Sequence, residues 1–226
     1  MAIPGTVRVV EDVPSAFAQE TVAAFGRRVN DVFSFALSGG DTARVCYQAL
    51  ADSGDRIDWW KVDFYWGDER CVPHDDPDSN YHLAREALLD RVGAANATYL
   101  MRCADGPEPY QLRLGELGHI DLVHLGLGPD GHTASLFPES AALDADPGRF
   151  VTMNDDPLGN NPYQRMTLTF AGIARAHQVI VTVSGASKAE ALARVAAGDD
   201  VPASHIDAAS VLWLVDPAAA GDTDLG

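Results

Sequence analysis

The sequence Phe33-Ser34-Phe35-Ala36-Leu37-Ser38-Gly39-Gly40-Asp41-Thr42 joins a short apolar run to a glycine pair and a helical pattern. The run Phe33–Leu37 is almost continuously apolar, which is typical of a strand buried on both faces of a parallel sheet. A helical pattern begins near Thr42, directly after the glycines. This strand–loop–helix unit predicts an α/β fold in which helices cover both faces of a mostly parallel sheet.

The same alternation continues along the chain on both sides of this unit. Further strands are predicted at residues 7–10, 62–66, 122–127, 151–153, 166–170, 179–183 and 211–215. Helical periodicity is present at residues 15–30, 81–90, 108–118 and 187–197. We predict a single domain over residues 1–226, with a small insertion around residues 141–165, where Pro, Gly, Asn and Asp cluster. Ligands of such folds bind beyond the carboxyl ends of the strands, so the loops there are the candidate site.

Composition narrows the classes of partner. The formal net charge of -17 argues against nucleic acid or an anionic membrane surface as a partner. No run of about 18 apolar residues is present, and the first residues do not resemble a targeting signal. We therefore expect a cytoplasmic protein, a monomer or weak homo-oligomer, whose partner is a small molecule. Any anionic ligand would need a locally basic site.

The cysteines suggest no crosslink. Cys46, Cys71 and Cys103 are odd in number, widely spaced and without a CxxC pair. This pattern predicts three reduced thiols in a cytosolic protein, in preference to a disulfide framework or a zinc site.

Two loops that follow strands carry features suited to an anion. The residues Ser38, Gly39, Gly40, Asp41 and Thr42 could present backbone N–H groups and a helix N-terminus to a phosphate, although a tight turn explains them about as well. No GK[ST] follows, so the loop is not a Walker A motif. Lys188, one of two lysines in the chain, follows the strand at 179–183 and opens a helix. An exposed helix lysine is the alternative, but the position favours a phosphate contact.

The loop after residues 62–66 begins Gly67-Asp68-Glu69-Arg70. Arg70 there would supply a permanent positive charge to an acidic protein. His74 lies among three aspartates that could suggest a metal site, but the cluster lacks the spacing of a calcium loop. We interpret it as a polar loop that caps the helix at 81–90.

The loop after residues 122–127 contains GxGxxG, at Gly126, Gly128 and Gly131. A dinucleotide site would need a long helix behind it, and Pro138 interrupts too early. We expect instead that the glycines place Asp130 and His132 at a helix start, where a histidine beside a carboxylate suits general acid–base chemistry. A packing role is the alternative for the histidine. A serine hydrolase that uses Ser135 is disfavoured because no GxSxG is present.

Taken together, these loops resemble the 6-phosphogluconolactonase family, which is related to glucosamine-6-phosphate deaminases and ribose-5-phosphate isomerases. The resemblance runs through nearly the whole chain. It rests on residues 38–42, 68–73 with 79–81, 125–138, 165–169, 185–188 and 213–219. The Asp68-Glu69-Arg70 segment and the Gly126–Pro138 segment are highly specific. The chain departs from the family's SGGSTP pattern at Asp41 and Ala43.

The resemblance implies a modified Rossmann-like sheet and hydrolysis of 6-phosphoglucono-1,5-lactone without a cofactor. His132 would be the base that activates water, and Asp130 would orient or charge its imidazole. No metal is required, because a δ-lactone is already reactive. Substrate binding would fall to Asp68, Arg70, Arg165, Lys188 and the residues of the Ser38–Thr42 loop.

Two other functions are weighed against this one. Glucosamine-6-phosphate deaminases share the DGH sequence but typically continue toward FNEP, whereas this chain continues Ser135-Leu136-Phe137-Pro138. The glutamate that helps to open the sugar ring is therefore absent. A non-catalytic sugar-phosphate sensor would not need the Asp130–His132 pair.

Overall fold

The structure is a computed structural model that describes residues 3–93 and 95–225. Its strands are β1 (Thr6–Val9), β2 (Phe33–Leu37), β3 (Val62–Trp66), β4 (Asp68–Arg70), β5 (Ala97–Thr98), β6 (Ile120–Gly126), β7 (Val151–Asn154), β8 (Arg165–Leu168), β9 (Ala176–Val183) and β10 (Val211–Val215). Its helices are α1 (Val13–Arg27), α2 (Asp41–Ala51), α3 (Asn80–Ala84), α4 (Asp90–Val92), α5 (Glu108–Leu117), α6 (Phe170–Ile173), α7 (Ala189–Ala197) and α8 (Pro217–Ala220). A π-helical turn, Arg85–Leu89, joins α3 to α4.

Within the described residues, seven strands form a parallel sheet in the order β1-β10-β9-β6-β2-β3-β5. The chain builds outward in one direction from β2 to β3 and β5, and in the other direction from β6 to β9 and β10. Strand order therefore reverses between β2 and β6, the kind of position where α/β proteins bind ligands. The predicted α/β class with a mostly parallel sheet is confirmed.

Helices cover both faces of this sheet. Neighbouring residues of each strand point to opposite faces, so each strand contacts both layers of helices. Phe64 packs against Phe35, which contacts Phe17 of α1. The next residue, Tyr65, contacts Tyr110 of α5 instead. Both layers are apolar and buried, which matches the continuous hydrophobic strands of the sequence.

A second, antiparallel sheet has the order β4-β8-β7. Gly67 alone separates its first strand, β4, from β3; the Gly67 N–H donates to Leu37 O, and its carbonyl accepts from Leu168 N. The register pairs Asp68 with Thr167 and Arg70 with Arg165. The predicted strand at 151–153 belongs to this sheet. Segment 141–165 contributes β7 and the loop before β8, and its description as an insertion into a single domain stays a prediction.

Two secondary-structure predictions are wrong. No helix follows His132: residues 133–140 form turns, Thr133 and Leu136 make an isolated antiparallel bridge, and Ala134 has a φ of +48°. The predicted strand at 166–170 ends at Leu168, because the Thr169 side chain accepts from Gly172 N and starts α6. No described helix has the length and apolar character needed to cross a membrane.

The prediction of three reduced thiols is also wrong. Cys71, directly after β4, forms a disulfide with Cys103, and their Cα atoms are 5.4 Å apart. Spacing along the sequence could not show that these two loops meet in space. Cys46 is free and buried, and burial raises its pKa to about 12 although a hydrogen bond with Thr182 opposes the rise.

Candidate active site

A cavity of about 390 Å³ lies at the carboxyl ends of β2, β6 and β9 and is flanked by β4 and β8 of the second sheet. Every predicted site residue except Asp130 lines it. These residues are Ser38, Gly39, Gly40, Asp41, Thr42, Asp68, Arg70, His132, Arg165 and Lys188. The topology therefore brings loops that are distant in the sequence to one place, as the parallel sheet predicts.

The His132 side chain is held by three neighbours in its own loop. Its Nδ1 lies 2.5 Å from Asp130 Oδ1, and its backbone N–H donates to the same oxygen at 3.1 Å. The ring lies against Gly128: a Cβ added there would be 2.2 Å from His132 Nδ1 and Cε1. Phe137 contacts the ring edge-on, with centroids 5.1 Å apart. Gly128 is thus required by a close approach of the imidazole to the backbone.

Asp130 does not line the cavity, but its carboxylate accepts hydrogen bonds from His132 and orients the imidazole. Burial would raise the pKa of Asp130, but the side-chain and backbone hydrogen bonds from His132 outweigh it, and the pKa is lowered. Asp130 is therefore an acceptor for an Nδ1–H. This leaves His132 Nε2 as the nitrogen available to accept a proton.

Two arginines face each other across the antiparallel pair. Arg70 and Arg165 are Cα partners, so their side chains leave the same face of the sheet. Arg70 Nη1 donates to Asp78 O at 2.7 Å, and Arg165 Nη2 donates to Pro162 O at 2.9 Å. Both Nε atoms are buried without a hydrogen-bond partner among the described residues. Like charges directly opposite each other are destabilising, so this pair favours an anion between or beside them.

The glycine loop is built to leave its backbone open. Gly40, with a φ of +89°, immediately precedes α2 as its N-cap and makes no side-chain capping bond. The first N–H groups of α2 are thus available to a ligand, and the helix dipole favours an anion there. Asp41 is exposed at the first position of α2. The part of this loop that suits a phosphate is its backbone.

Asp68 and Glu69 organise the loops around Arg70. The Asp68 carboxylate is buried and accepts from Ser135 Oγ at 2.7 Å and from Asn80 Nδ2 at 3.2 Å. Glu69 is also buried and accepts from the backbone N–H groups of Arg70, Asn80 and Tyr81. Burial raises the pKa of Glu69 against the effect of these bonds. Since the Ser135 hydroxyl donates to Asp68, Ser135 has no bond to His132 that would activate it.

Lys188 ends a short 3-10 turn and caps α7. The preceding loop is fixed by Asp216 Oδ2, which accepts from Ser184 Oγ and Gly185 N. Burial lowers the pKa of Lys188, while Asp130 and Asp41 raise it. Lys188 thus lies near Asp130 and near the glycine loop.

A buried polar chain beneath the cavity was missed by the sequence analysis. His124 is fully buried, with Nδ1 3.0 Å from Tyr47 Oη and Nε2 2.9 Å from Thr182 Oγ1. The Tyr47 hydroxyl in turn accepts from Ser38 N at 2.6 Å. Burial lowers the pKa of His124 to about 3, so the ring is neutral. These hydrogen bonds hold the start of the glycine loop. Their one sign in the sequence is a polar residue, His124, inside an otherwise apolar strand.

Comparisons with known proteins agree with this geometry. A family model described as glucosamine-6-phosphate isomerases/6-phosphogluconolactonase matches residues 7–213. A 6-phosphogluconolactonase of Synechocystis is 39% identical over 206 residues, which cover 82% of both chains. One of Mycobacterium tuberculosis is 35% identical over 205 residues, covering 81% of this chain and 82% of the relative.

The fold is shared with a solved structure as well. The crystal structure of 6-phosphogluconolactonase from Leishmania guyanensis superimposes with a TM-score of 0.83 at 28% identity, covering 97% of this chain and 99% of that one. The predicted resemblance is confirmed. The chain belongs to the glucosamine-6-phosphate isomerase/6-phosphogluconolactonase family.

Proposed function

We propose that the chain hydrolyses 6-phosphoglucono-1,5-lactone to 6-phosphogluconate, with His132 as the general base that activates water. The observation that carries the proposal is the Asp130–His132 pair, joined at 2.5 Å, in a cavity that also holds Arg70, Arg165 and Lys188. The relatives described above are named for this activity. The activity therefore rests on the family, and the roles of single residues rest on their geometry.

The catalytic step follows from the orientation of the imidazole. With Nδ1–H donated to Asp130, the Nε2 lone pair of His132 accepts a proton from water as the water oxygen attacks C1 of the lactone. The resulting imidazolium is stabilised by the Asp130 carboxylate, and it returns the proton to the ring oxygen as the C1–O bond breaks. One water is consumed and one carboxylic acid is formed, so the proton balance closes on His132.

The cationic residues would hold the phosphate at the other end of the substrate. In a protein with a net charge of -17, three cationic side chains that line one cavity are a local exception. The Arg70–Arg165 pair and the backbone of the Ser38–Thr42 loop supply donors, and Lys188 supplies a point charge. Binding at the phosphate then fixes C1 near the base, which lowers the entropic cost of the reaction.

The chain itself disfavours the two rival functions. A deaminase would carry the glutamate of FNEP where this chain has Phe137, and Glu139 comes too late to match. A sugar-phosphate sensor would have no use for a histidine held in one tautomer by a carboxylate. Turnover separates all three functions.

The test is hydrolysis of freshly generated lactone, with spontaneous hydrolysis subtracted, in the parent and in His132→Asn. We expect the variant to keep its melting temperature and its affinity for 6-phosphogluconate and to lose about 10²–10⁴-fold in rate. Ammonia release from glucosamine 6-phosphate that is faster than lactone hydrolysis would overturn the proposal. So would a folded, product-binding His132→Asn with near-parental turnover.

We infer a cytoplasmic, single-domain protein that is a monomer or a weak homo-oligomer and does not bind nucleic acid. The strongly acidic composition supports the absence of nucleic-acid binding, whereas the Cys71–Cys103 disulfide does not favour a reducing compartment. Light scattering, with and without polynucleotide, tests the oligomeric state and the absence of nucleic-acid binding directly.

A further inference from the structure

Three potential metal ligands meet at the amino edge of the parallel sheet, at the opposite edge from the active-site cavity. His119 immediately precedes β6, and Asp121 is two residues later, on the same side of the strand. His177 is near the start of β9, and the β6–β9 register, which pairs Ile120 with Ala176, sets it beside Asp121. One ligand atom from each of the three side chains lies within 4.8 Å of the others.

Asp121 is already oriented as a ligand. It is 6% exposed, and its Oδ2 accepts from both the backbone N–H and the hydroxyl of Ser34, each at 2.8 Å. Its other oxygen, Oδ1, faces His119 Nε2 at 3.7 Å, which is too long for a hydrogen bond. A carboxylate with one oxygen fixed by neighbours and the other directed at a histidine matches the outer-shell support that metal ligands receive.

The two imidazoles are close enough to share one ion. Their ring centroids are 4.1 Å apart. Each imidazole offers a ring nitrogen whose lone pair can bind a cation. Asn30 Nδ2 lies 3.5 Å from His119 Nε2, a contact at the limit of a hydrogen bond that an ion could displace.

We propose that His119, Asp121 and His177 form a site for a divalent transition-metal ion of the zinc class, separate from the lactone site. Two imidazole nitrogens and one carboxylate oxygen are a donor set that suits zinc, and a fourth position remains for water. Bonds of about 2.0–2.1 Å in a tetrahedron separate ligand atoms by roughly 3.3 Å. The 3.7 Å between His119 and Asp121 is already near this value. Rotation of the exposed His177 side chain can bring its ring nitrogen to the same distance from the other two ligand atoms.

An ion has access to this position, and the nearby cations are engaged elsewhere. A cavity of about 390 Å³ is lined by Asp121, His177, Arg27 and Arg28, among others. Arg27 donates to Gln178 Oε1 at 2.9 Å, and Arg28 lies over the Phe25 ring. The ion would bridge the starts of β6 and β9. It would therefore stabilise the sheet without taking part in hydrolysis.

The test is a zinc titration of chelator-treated, desalted full-length protein, by calorimetry and by the visible absorption of Co²⁺ as a substitute ion. The diagnostic variant is His177→Ala, because the side chain is exposed and its loss leaves the core intact. The matched control is His205→Ala, which removes another exposed histidine, whose Nε2 lies 2.6 Å from Asp200 Oδ1. The variant His132→Asn distinguishes zinc at the proposed site from any zinc bound at the active site, because it removes the active-site histidine.

We expect one saturable site in the parent, in His205→Ala and in His132→Asn, and an affinity at least about 100-fold weaker in His177→Ala. Zinc should raise the melting temperature of the parent but not of His177→Ala. Absence of saturable binding in the parent, or unchanged affinity in His177→Ala, would overturn the proposal.

Discussion

The contact between the His132 ring and the backbone of Gly128 makes Gly128→Ala a sharp test of the active-site geometry. A Cβ at residue 128 would lie 2.2 Å from His132 Nδ1 and Cε1, whereas ordinary contact begins at about 3.4 Å. The imidazole must therefore move by roughly 1.2 Å. A displacement of about 1 Å at a catalytic group can cost 10²-fold in rate. We expect a loss of about that size, or roughly 2.7 kcal/mol of barrier.

The assay is background-corrected lactone hydrolysis, measured beside product affinity and thermal unfolding. Product affinity should change little, because the arginines and Lys188 are untouched. Gly115→Ala is the matched control: it adds the same methyl group in α5, where a Cβ would meet nothing within 4 Å. A folded Gly128→Ala protein that turns over as fast as Gly115→Ala would refute the placement of the ring on Gly128.

Three further predictions concern charge, crosslinking and pH. Arg70→Ala and Lys188→Ala should each weaken 6-phosphogluconate binding about 10- to 100-fold by calorimetry, while Arg113→Ala, outside the cavity, should not. Cys103→Ser opens a loop of sequence separation 32 and should lower the free energy of unfolding by about 3–4 kcal/mol; equal denaturant midpoints with and without reductant in the parent would contradict this. Burial holds the pKa of His124 at about 3, against 6.5 for a free histidine, so only the unfolded chain is protonated between these values. As the pH is lowered through this interval, the free energy of unfolding should therefore decrease, by at most about 1.4 kcal/mol per pH unit for this group. His124→Asn should show a shallower decrease.

The parallel sheet was predictable because its strands are continuous in apolar residues. The bounds of β2, β3 and β10 agree with the predicted strands. The second sheet was less accessible, since β4 is the polar segment Asp68–Arg70 and acquires its strand conformation from pairing with β8. Local sequence contains no record of that long-range pairing.

Site residues that come after a strand were predictable from the sequence, whereas a polar residue buried within a strand was not. Arg70, His132 and Lys188 each come a few residues after a predicted apolar strand, and all three line the cavity. His124 lies inside β6, and its sequence neighbours are apolar. Its partner Tyr47 comes from α2. A hydrogen bond between residues so far apart in the chain has no periodicity, so pattern analysis could not find it.

The pairing of Arg70 with Arg165 affects the point during folding at which the protein can bind an anion. During synthesis, β2 and β3 emerge early, but β8 emerges only after most of the chain has left the ribosome. The two arginines meet only once β4 and β8 have paired, and their mutual repulsion opposes that pairing. Closing so long a loop is entropically slow. A chain in which β4 and β8 have not yet paired therefore lacks the arginine pair of its anion site.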